Sequence, residues 1–250
     1  MPDPVTRAAG KLLAVRAGAP RIPDLGDAAP DEEAQAWAIQ RAVLAGIGGT
    51  VGGWKCAAPP GKPTSGAMLD ARGIRPSPCE WPVPPGERIG LETEIAFRLG
   101  RDLPPRAAPY AREEVLDAVA ACFPAVELVA SRYADPAAVP PLTAMADSVA
   151  HAGLVIGAEV PNWRELDLPN LRVRQSYGGE VQVERVGGNP AGDPVISLVW
   201  LANHLPTLGM HLRAGEVVTT GSCTGLTWVA PSRCVLGQFE GLGAAEVTFA

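Results

Sequence analysis

The sequence has few of the features that mark several large classes of protein. Its five cysteines are odd in number and lack CxxC spacing, so neither a disulfide framework nor a zinc site is indicated. No apolar run approaches the roughly 18 residues that span a bilayer, and the first residues lack the apolar core and cleavage site of a secretory signal. The formal net charge of −6 leaves no basic surplus for nucleic acid. We therefore predict a cytoplasmic protein with no membrane or nucleic-acid partner.

The composition is that of a folded protein, and the chain is long enough for one large core. Hydrophobic residues make up 47% and charged residues 19% of the 250 positions, which are globular values. The 28 glycines and 26 prolines are spread along the chain and predict many turns between strands. We predict an N-terminal helical region at 1–50 and a strand-rich region at 51–250, joined as one continuous domain.

Apolar periodicity places the elements along the chain. Helical spacing predicts α-helices at 4–17, 30–46, 113–121 and 193–209, the last being the longest. Alternation and glycine turns predict strands at 50–56, 91–99, 125–130, 154–158, 171–177, 181–186, 216–220, 233–240 and 244–249. Residues 57–90 hold eight prolines and five glycines. They predict a long loop, which we expect to be a mobile cover over a functional site.

One nine-residue stretch, LETEIAFRL at 91–99, places two acids on the same side of a strand. Side chains alternate along a strand, so Glu92 and Glu94 share the face opposite Leu91 and Thr93. This pattern is typical of a half-buried strand with a charged, wet face. It also suits a shared cation, and the stretch alone leaves both interpretations open.

A third glutamate is enclosed by apolar residues. Glu127 stands in AVELVA at 125–130 with no other charge, and a buried carboxylate is unfavourable unless it is paired or binds a metal. If its strand lies next to that of Glu92 and Glu94, the three carboxylates form an oxygen-only site of the kind that hard divalent ions prefer. The sequence therefore predicts a metal site of these three glutamates.

Several polar residues near these strands have more than one interpretation. Lys55, among small and apolar residues, is either a surface lysine or a desolvated group that transfers protons. Arg132 is either a surface ion-pair partner, a clamp for a carboxylate, or a residue that orients Glu127. Asp147 and Ser148 either cap a helix or border a site.

The turn at 221–225 and a histidine complete the set of polar candidates. The turn GSCTG contains Ser222 and Thr224, and it either presents N–H and hydroxyl groups to an anion or is an ordinary tight turn. His151 is interpreted as structural, because that is the usual role of a lone histidine. The acid nearest before Glu92 is Glu80, which receives no assigned role.

Short motifs occur along nearly the whole chain in the order that one known family shows. They are Val51-Gly52-Gly53-Trp54-Lys55, Thr64-Ser65-Gly66-Ala67-Met68, Glu92-Thr93-Glu94-Ile95-Ala96-Phe97, Pro124-Ala125-Val126-Glu127 with Ser131-Arg132, Trp200-Leu201-Ala202-Asn203, and Leu212 to Val218 with Gly221-Ser222. This ordered set resembles the 2-oxopent-4-enoate hydratase/4-oxalocrotonate decarboxylase branch of the fumarylacetoacetate hydrolase superfamily.

The resemblance implies an α+β fold with a mixed β-roll or β-sandwich-like core, similar to the fumarylacetoacetase C-terminal domain, with flanking helices. Region 51–250 would be the β-roll catalytic domain. The resemblance also implies a homo-oligomer and, as a further expectation, a complex with a related decarboxylase or hydratase. The metal would be Mg²⁺ or Mn²⁺ on Glu92, Glu94 and Glu127, and Lys55 would be the catalytic residue. The implied contacts to a small 2-oxo acid substrate are Thr64, Ser65, Arg132, Asp147, Ser148, Ser222 and Thr224.

The implied activity is a metal-dependent hydratase (a lyase) of aromatic catabolism, which adds water to a 2-hydroxy-dienoate and gives a 4-hydroxy-2-oxo acid. A 4-oxalocrotonate-type decarboxylase is the alternative, because the same dienolate serves both reactions. An acylpyruvate hydrolase is less favoured, since it would use a His-Glu pair early in the chain and no histidine precedes His151. A non-catalytic partner subunit is the remaining alternative. The chain departs from the family in the loop before Glu92, which lacks the aspartate of several hydratases, and in having Asp147-Ser148 where Asp-Asn is more usual.

Overall fold

The N-terminal region is helical, as the sequence predicts. A computed structural model of the chain describes residues 2–83, 88–229 and 234–249. Its α-helices are α1 (Pro4–Arg16), α2 (Glu33–Gly46), α3 (Arg112–Leu116), α4 (Pro141–Ala146) and α5 (Pro194–His204). None of these helices combines the length and the apolar composition needed to cross a lipid bilayer.

Local chemistry sets where these helices begin and end. The carboxylate of Asp3 accepts a hydrogen bond from the Thr6 backbone N–H and starts α1, and Asp193 does the same for α5 through Val195. Helix α2 begins at Glu33, three residues after the predicted start at residue 30. Helix α5 stops at His204 and continues only as a 3-10 turn, because Pro206 has no N–H to donate. The prediction that α5 is the longest helix is therefore wrong.

The strands form two sheets. They are β1 (Val51–Ala57), β2 (Ser65–Asp70), β3 (Ile74–Pro76), β4 (Cys79–Trp81), β5 (Ile89–Leu99), β6 (Val119–Val129), β7 (His151–Ile156), β8 (Arg172–Tyr177), β9 (Glu180–Val186), β10 (Val217–Ser222), β11 (Thr227–Val229), β12 (Cys234–Phe239) and β13 (Gly243–Phe249). The first sheet has the order β2-β1-β10-β5-β6-β7-β3, with β11 also paired to β5. The second has the order β4-β13-β12-β8-β9, so the predicted hairpins are present.

The first sheet curls into a roll. Strand β3 is the last strand at one edge of this sheet, and β1 is next to last at the other edge, yet the two strands lie in contact. A Cβ added to Gly53 of β1 would lie 3.0 Å from Cδ1 of Ile74 in β3. The inside of the roll is partly filled by small and apolar side chains, which are Leu69, Ala96, Ala121, Phe123, Ala125, Leu154 and Val217. The predicted mixed β-roll with flanking helices is confirmed.

The second sheet covers the outer face of the roll at close range. A Cβ on Gly237 of β12 would lie 2.8 Å from Oγ1 of Thr93 and 2.8 Å from Cγ2 of Val126, so only glycine permits this approach. Apolar residues of both sheets, including Leu91 and Val247, pack in one buried cluster. Strand β5 is therefore covered on both faces, and the interpretation of a wet face is wrong.

Two predicted segments have a different structure. Residues 57–90 are not one long loop: β2, β3 and β4 lie within this segment, and β2 pairs with β1. The sequence of β2, SGAMLD, has no β-branched residue, so its burial rather than its propensity makes it a strand. A mobile cover spanning 57–90 is ruled out, and positions 84–87 of that segment lie outside the described residues. The predicted helix at 113–121 ends at Leu116, because Val119 already pairs with Leu99 across the sheet.

Candidate metal centre

Two antiparallel strands bring the three predicted glutamates together. Glu92 of β5 stands directly opposite Glu127 of β6, and Glu94 follows two residues later on the same face. One carboxylate oxygen from each residue lies within 4.8 Å of the others. The alternation of β5 and the pairing register therefore suffice to build the cluster, which points into the roll.

Burial makes this cluster unusual. Glu127 is 0% and Glu94 1% exposed, while Glu92 is half-buried. Burial of like charges raises the free energy of the ionised forms. Burial, followed by the Glu127 charge, raises the pKa of Glu92 to about 7, although the Lys55 ammonium opposes this. Burial and the two neighbouring carboxylates also raise the pKa of Glu94.

Strand β10 holds Glu94 in place. The Thr219 hydroxyl and the Gly221 N–H both donate hydrogen bonds to Oε2 of Glu94, the latter over 2.9 Å. The pairing of β10 with β5 shifts between Thr219 and Ser222, and Gly221 takes a φ of 103° at this irregularity. A left-handed glycine thus allows the N–H to point at the carboxylate.

Lys55 reaches the cluster from β1. Its Nζ lies 2.6 Å from Oε1 of Glu127 and donates over 3.3 Å to the carbonyl of Val149. The side chain is 13% exposed, so the surface interpretation is wrong. Burial lowers the pKa of this ammonium, but the attraction of the three glutamates outweighs burial and raises it. Lys55 therefore stays protonated.

His151 is the site residue that the sequence interpretation undervalued. Its Nδ1 lies 2.9 Å from Oε1 of Glu127, and it must carry the hydrogen, because a carboxylate only accepts. Burial lowers the pKa of the ring, so the imidazole is neutral. Burial would raise the pKa of Glu127, but the charge of Lys55 and the hydrogen bond from His151 bring it to about 2. The only hint in the sequence is that His151 begins an apolar strand.

The free oxygen of Glu127 indicates a cation. Lys55 and His151 both bond Oε1, while Oε2 is buried and has no hydrogen-bond partner. The Ser222 hydroxyl stands across the ladder from Glu94, and its interaction with Glu92 opposes the rise in the pKa of that carboxyl. Three converging carboxylates with one unsatisfied oxygen fit a hard divalent cation such as Mg²⁺ or Mn²⁺.

The structure places the predicted substrate contacts in different parts of the fold. Ser65 lies on the face of β2 that carries Ala67, the partner of Lys55, and Ser222 lies beside the glutamates. Thr64 is exposed and lies just before β2. Thr224 accepts a hydrogen bond from the Thr93 N–H and donates one to Gln175, between the two sheets.

Arg132 and Asp147 form a buried ion pair, and Ser148 is the next residue in the chain. Glu80 is exposed on β4, in the second sheet.

Comparison with known proteins reveals relatives that share part of this sequence. A 2-keto-4-pentenoate hydratase of Paraburkholderia xenovorans (strain LB400) is 33% identical over 159 residues, which are 64% of this chain and 58% of that protein. A 4-oxalocrotonate decarboxylase of Pseudomonas putida is 31% identical over 136 residues, 54% of this chain and 51% of that protein. The matched part thus spans little more than half the length of these relatives.

The fold is shared with solved structures. A 4-oxalocrotonate decarboxylase from Pseudomonas putida G7, complexed with magnesium and adipate, has a TM-score of 0.86 at 22% identity, over 98% of this chain and 97% of that one. Fumarylpyruvate hydrolase from Pseudomonas aeruginosa, in complex with Mn²⁺ and pyruvate, has a TM-score of 0.60 at 16% identity, over 79% and 88%. The family model of the fumarylacetoacetate (FAA) hydrolase C-terminal domain matches residues 63–250. That match covers about three-quarters of the sequence, and the chain therefore belongs to the FAA hydrolase C-terminal family.

Proposed function

We propose that this protein is a metal-dependent hydratase that adds water to a 2-hydroxy-dienoate and gives a 4-hydroxy-2-oxo acid. The observation that carries the proposal is the carboxylate cluster of Glu92, Glu94 and Glu127, with one unsatisfied buried oxygen and the Lys55 ammonium at its edge. The hydratase relatives, at about a third identity over much of the chain, favour the same reaction.

The three glutamates would hold the cation, and Glu127 would use Oε2, because its other oxygen is engaged by Lys55 and His151. A magnesium or manganese ion bound there would supply Lewis-acid polarisation of a 2-oxo group and stabilise developing negative charge. His151 and Lys55 fix the orientation of Glu127, a role that usually matters nearly as much as the ligands.

Lys55 would move the protons. Without a bound cation, the glutamates raise the pKa of its ammonium. In the reaction this ammonium would donate a proton to the terminal carbon of the dienolate, which forms when the enol proton passes to solvent. The resulting neutral amine would take a proton from the attacking water as the water oxygen bonds the carbon that becomes hydroxylated. It would pass that proton to the adjacent carbon and regain its own proton from solvent. Its positive charge also favours an anionic 2-oxo acid beside a site that already holds three carboxylates.

A decarboxylase of the 4-oxalocrotonate type is the second candidate. Its support is specific: the two decarboxylase structures share the fold at TM-scores of 0.85 and 0.86 over 98% of this chain. A protonated lysine beside a dienolate serves either reaction, because both pass through that anion. A role in aromatic catabolism, a homo-oligomeric assembly, association with a related decarboxylase or hydratase, and a cytoplasmic location stay predictions from the sequence.

Product analysis with two substrates tests the proposal. The chelator-treated protein is mixed with 2-hydroxypenta-2,4-dienoate or with 4-oxalocrotonate, with and without Mg²⁺ or Mn²⁺. We expect metal-dependent loss of the diene absorbance and a product that has gained one water. Release of CO₂ from 4-oxalocrotonate without hydration of the dienoate would replace the hydratase by the decarboxylase. Failure of both substrates with either metal would contradict an enzymatic role of this type.

A further inference from the structure

A strained turn lies beside the carboxylate cluster. Ser148, Val149 and Ala150, between α4 and β7, have φ values of 52°, 50° and 61°, all in the left-handed region. Non-glycine residues avoid this region, and a β-branched residue such as Val149 avoids it most strongly. Three such residues in succession persist only where the surroundings impose the conformation, and they occur preferentially at functional sites.

The turn presents two groups to the site. The carbonyl of Val149 accepts a hydrogen bond from Nζ of Lys55 over 3.3 Å. The residue that follows the turn is His151, whose ring holds Oε1 of Glu127 over 2.9 Å. A relaxed, right-handed turn would redirect the Val149 carbonyl and the start of β7. The conformation of the turn therefore determines how Lys55 and Glu127 are held.

A buried arginine spans the turn. Nη2 of Arg132 donates over 2.6 Å to the carbonyl of Asp147, before the turn, and Nη1 donates over 3.1 Å to the carbonyl of His151, after it. The carboxylate of Asp147 accepts from Nε of Arg132, from the Arg132 backbone N–H over 3.0 Å and from the Ser131 hydroxyl over 3.2 Å. The two side chains are only 7% and 1% exposed. The planar guanidinium suits such a bridge, because its donors have a fixed geometry.

We propose that Arg132 and Asp147 are positioning residues, which hold the left-handed turn and through it orient Lys55 and Glu127. They were expected from the sequence to contact substrate, but Nε, Nη1 and Nη2 of Arg132 all donate to protein acceptors. Arg132 acts here through backbone carbonyls and not through direct contact with Glu127. The proposal rests on the proposed function for the roles of Lys55 and Glu127.

Three single variants test it: Arg132→Gln, Asp147→Asn and, as a matched control, Tyr133→Phe. The control removes a neighbouring buried hydrogen bond, from the Tyr133 hydroxyl to the Thr143 carbonyl over 2.9 Å, and leaves the turn untouched. We expect Arg132→Gln and Asp147→Asn to lower kcat and Mg²⁺ affinity by about 10- to 100-fold, the usual loss when a group supporting a metal ligand is removed. KM should change less than kcat. Tyr133→Phe should lower the melting temperature without these losses.

A second substitution, Ala150→Gly, distinguishes a positioning role of Arg132 from direct contact with substrate. Glycine accepts a positive φ without strain, so Ala150→Gly should reduce the loss in the Arg132→Gln background. If Arg132 instead touched substrate, the glycine would restore nothing. Magnesium affinity, measured by calorimetry, does not depend on which 2-oxo acid is the substrate. A failed substrate panel with weakened Mg²⁺ binding would thus reject the proposed function and keep the positioning role.

Any of three results would overturn the inference. The first is that a folded Arg132→Gln or Asp147→Asn protein keeps the wild-type kcat and Mg²⁺ affinity within twofold. The second is that both variants lose the near-ultraviolet circular dichroism of the native state, which would assign the pair to folding alone. The third is equal kcat in Arg132→Gln with and without Ala150→Gly, which would contradict a role through the turn.

Discussion

Strand β5 has a buried polar cluster on each face, and the two clusters differ in how well their atoms are paired. Inside the roll, Glu92 and Glu94 meet Glu127, and one oxygen of Glu127 has no partner. On the outer face, Thr93 meets Gln175 of the second sheet. Residues adjacent in the sequence thus enter two different environments.

The outer cluster is a closed hydrogen-bond network. Oε1 of Gln175 accepts from the hydroxyls of Thr93 over 2.9 Å and Thr224 over 2.8 Å. Its Nε2 donates to the hydroxyls of Tyr177 over 2.7 Å and Thr227 over 2.6 Å. Every polar group of this amide is used, and no charge is buried. Such a network rigidifies the contact between two sheets.

The inner cluster is not closed by the protein itself. Two of its three carboxyl groups have raised pKa values, so they resist ionisation until a cation arrives. Burial of polar groups alone therefore does not mark a functional site. What marks the inner cluster is like charge combined with an unsatisfied acceptor. Substitutions that disrupt one cluster should leave the other intact.

The largest effect is expected at Lys55. Lys55→Met removes the proton donor and should lower kcat by about two to four orders of magnitude, the range for loss of a general acid–base group. KM for the dienoate should change less, because the carboxylate cluster remains. Steady-state kinetics with saturating Mg²⁺ measures both parameters.

The control for this variant is Lys11→Met. Nζ of Lys11 donates to the Leu25 carbonyl over 2.7 Å, in the N-terminal helical region. Its loss should leave kcat unchanged. Near-normal turnover in Lys55→Met would mean that another residue donates the proton.

A pH-dependent loss of stability is expected in the metal-free protein. Unfolded Glu92 ionises near its ordinary pKa of 4.5, while the folded residue keeps its proton until about pH 7. Between these values the folded state binds more protons, so the free energy of unfolding falls as pH rises. Glu127 acts in another window: its lowered pKa adds stability above pH 4.5 that is lost as pH falls toward 2.

Thermal unfolding at pH 5, 6 and 7 measures this effect. With chelator, the melting temperature of the wild-type protein should fall relative to that of Glu92→Gln as the pH rises. The comparison cancels His151, whose lowered pKa acts in the opposite direction in both proteins. Saturating Mg²⁺ should remove the fall that Glu92 causes, because the cation stabilises the ionised carboxylates. The same slope in the wild-type and Glu92→Gln proteins would mean that Glu92 does not titrate in this window.

The smallest effect is expected on the outer face. Thr93→Val removes one donor to Gln175, whose Oε1 keeps the Thr224 hydroxyl. The cost should be about 1 kcal/mol, which lowers the melting temperature by about 2–4 °C in a chain of this size. Calorimetry should detect no change in Mg²⁺ affinity. A tenfold loss of affinity would mean that the two faces are coupled.

The three glutamates were predictable as candidates because strand alternation and charge single them out, although their convergence depends on the pairing of β5 with β6. Glu92 and Glu94 are two residues apart, and Glu127 stands isolated among apolar residues, so neither feature depends on distant contacts. The fold class followed from the ordered motifs. The division at residue 50 stays a prediction.

Features created by pairing and strain could not be predicted. His151 meets Glu127 through the pairing of β6 with β7, whose register shifts beside Val129. The left-handed Val149 has no signal in the sequence, because left-handed residues are normally inferred from glycine. Strand β2 was missed because glycine, alanine and methionine have little preference for strands.

Calorimetric titration of Mg²⁺ into the chelator-treated protein tests the central claim most directly. The wild-type chain should bind one ion per chain. Glu127→Gln keeps the shape of the side chain but removes its charge, so affinity should fall by more than about 100-fold, beyond the loss for a merely supporting group. Thr93→Val should bind like the wild type. Absence of binding in the wild-type protein, or unchanged affinity in Glu127→Gln, would contradict a metal centre at these glutamates.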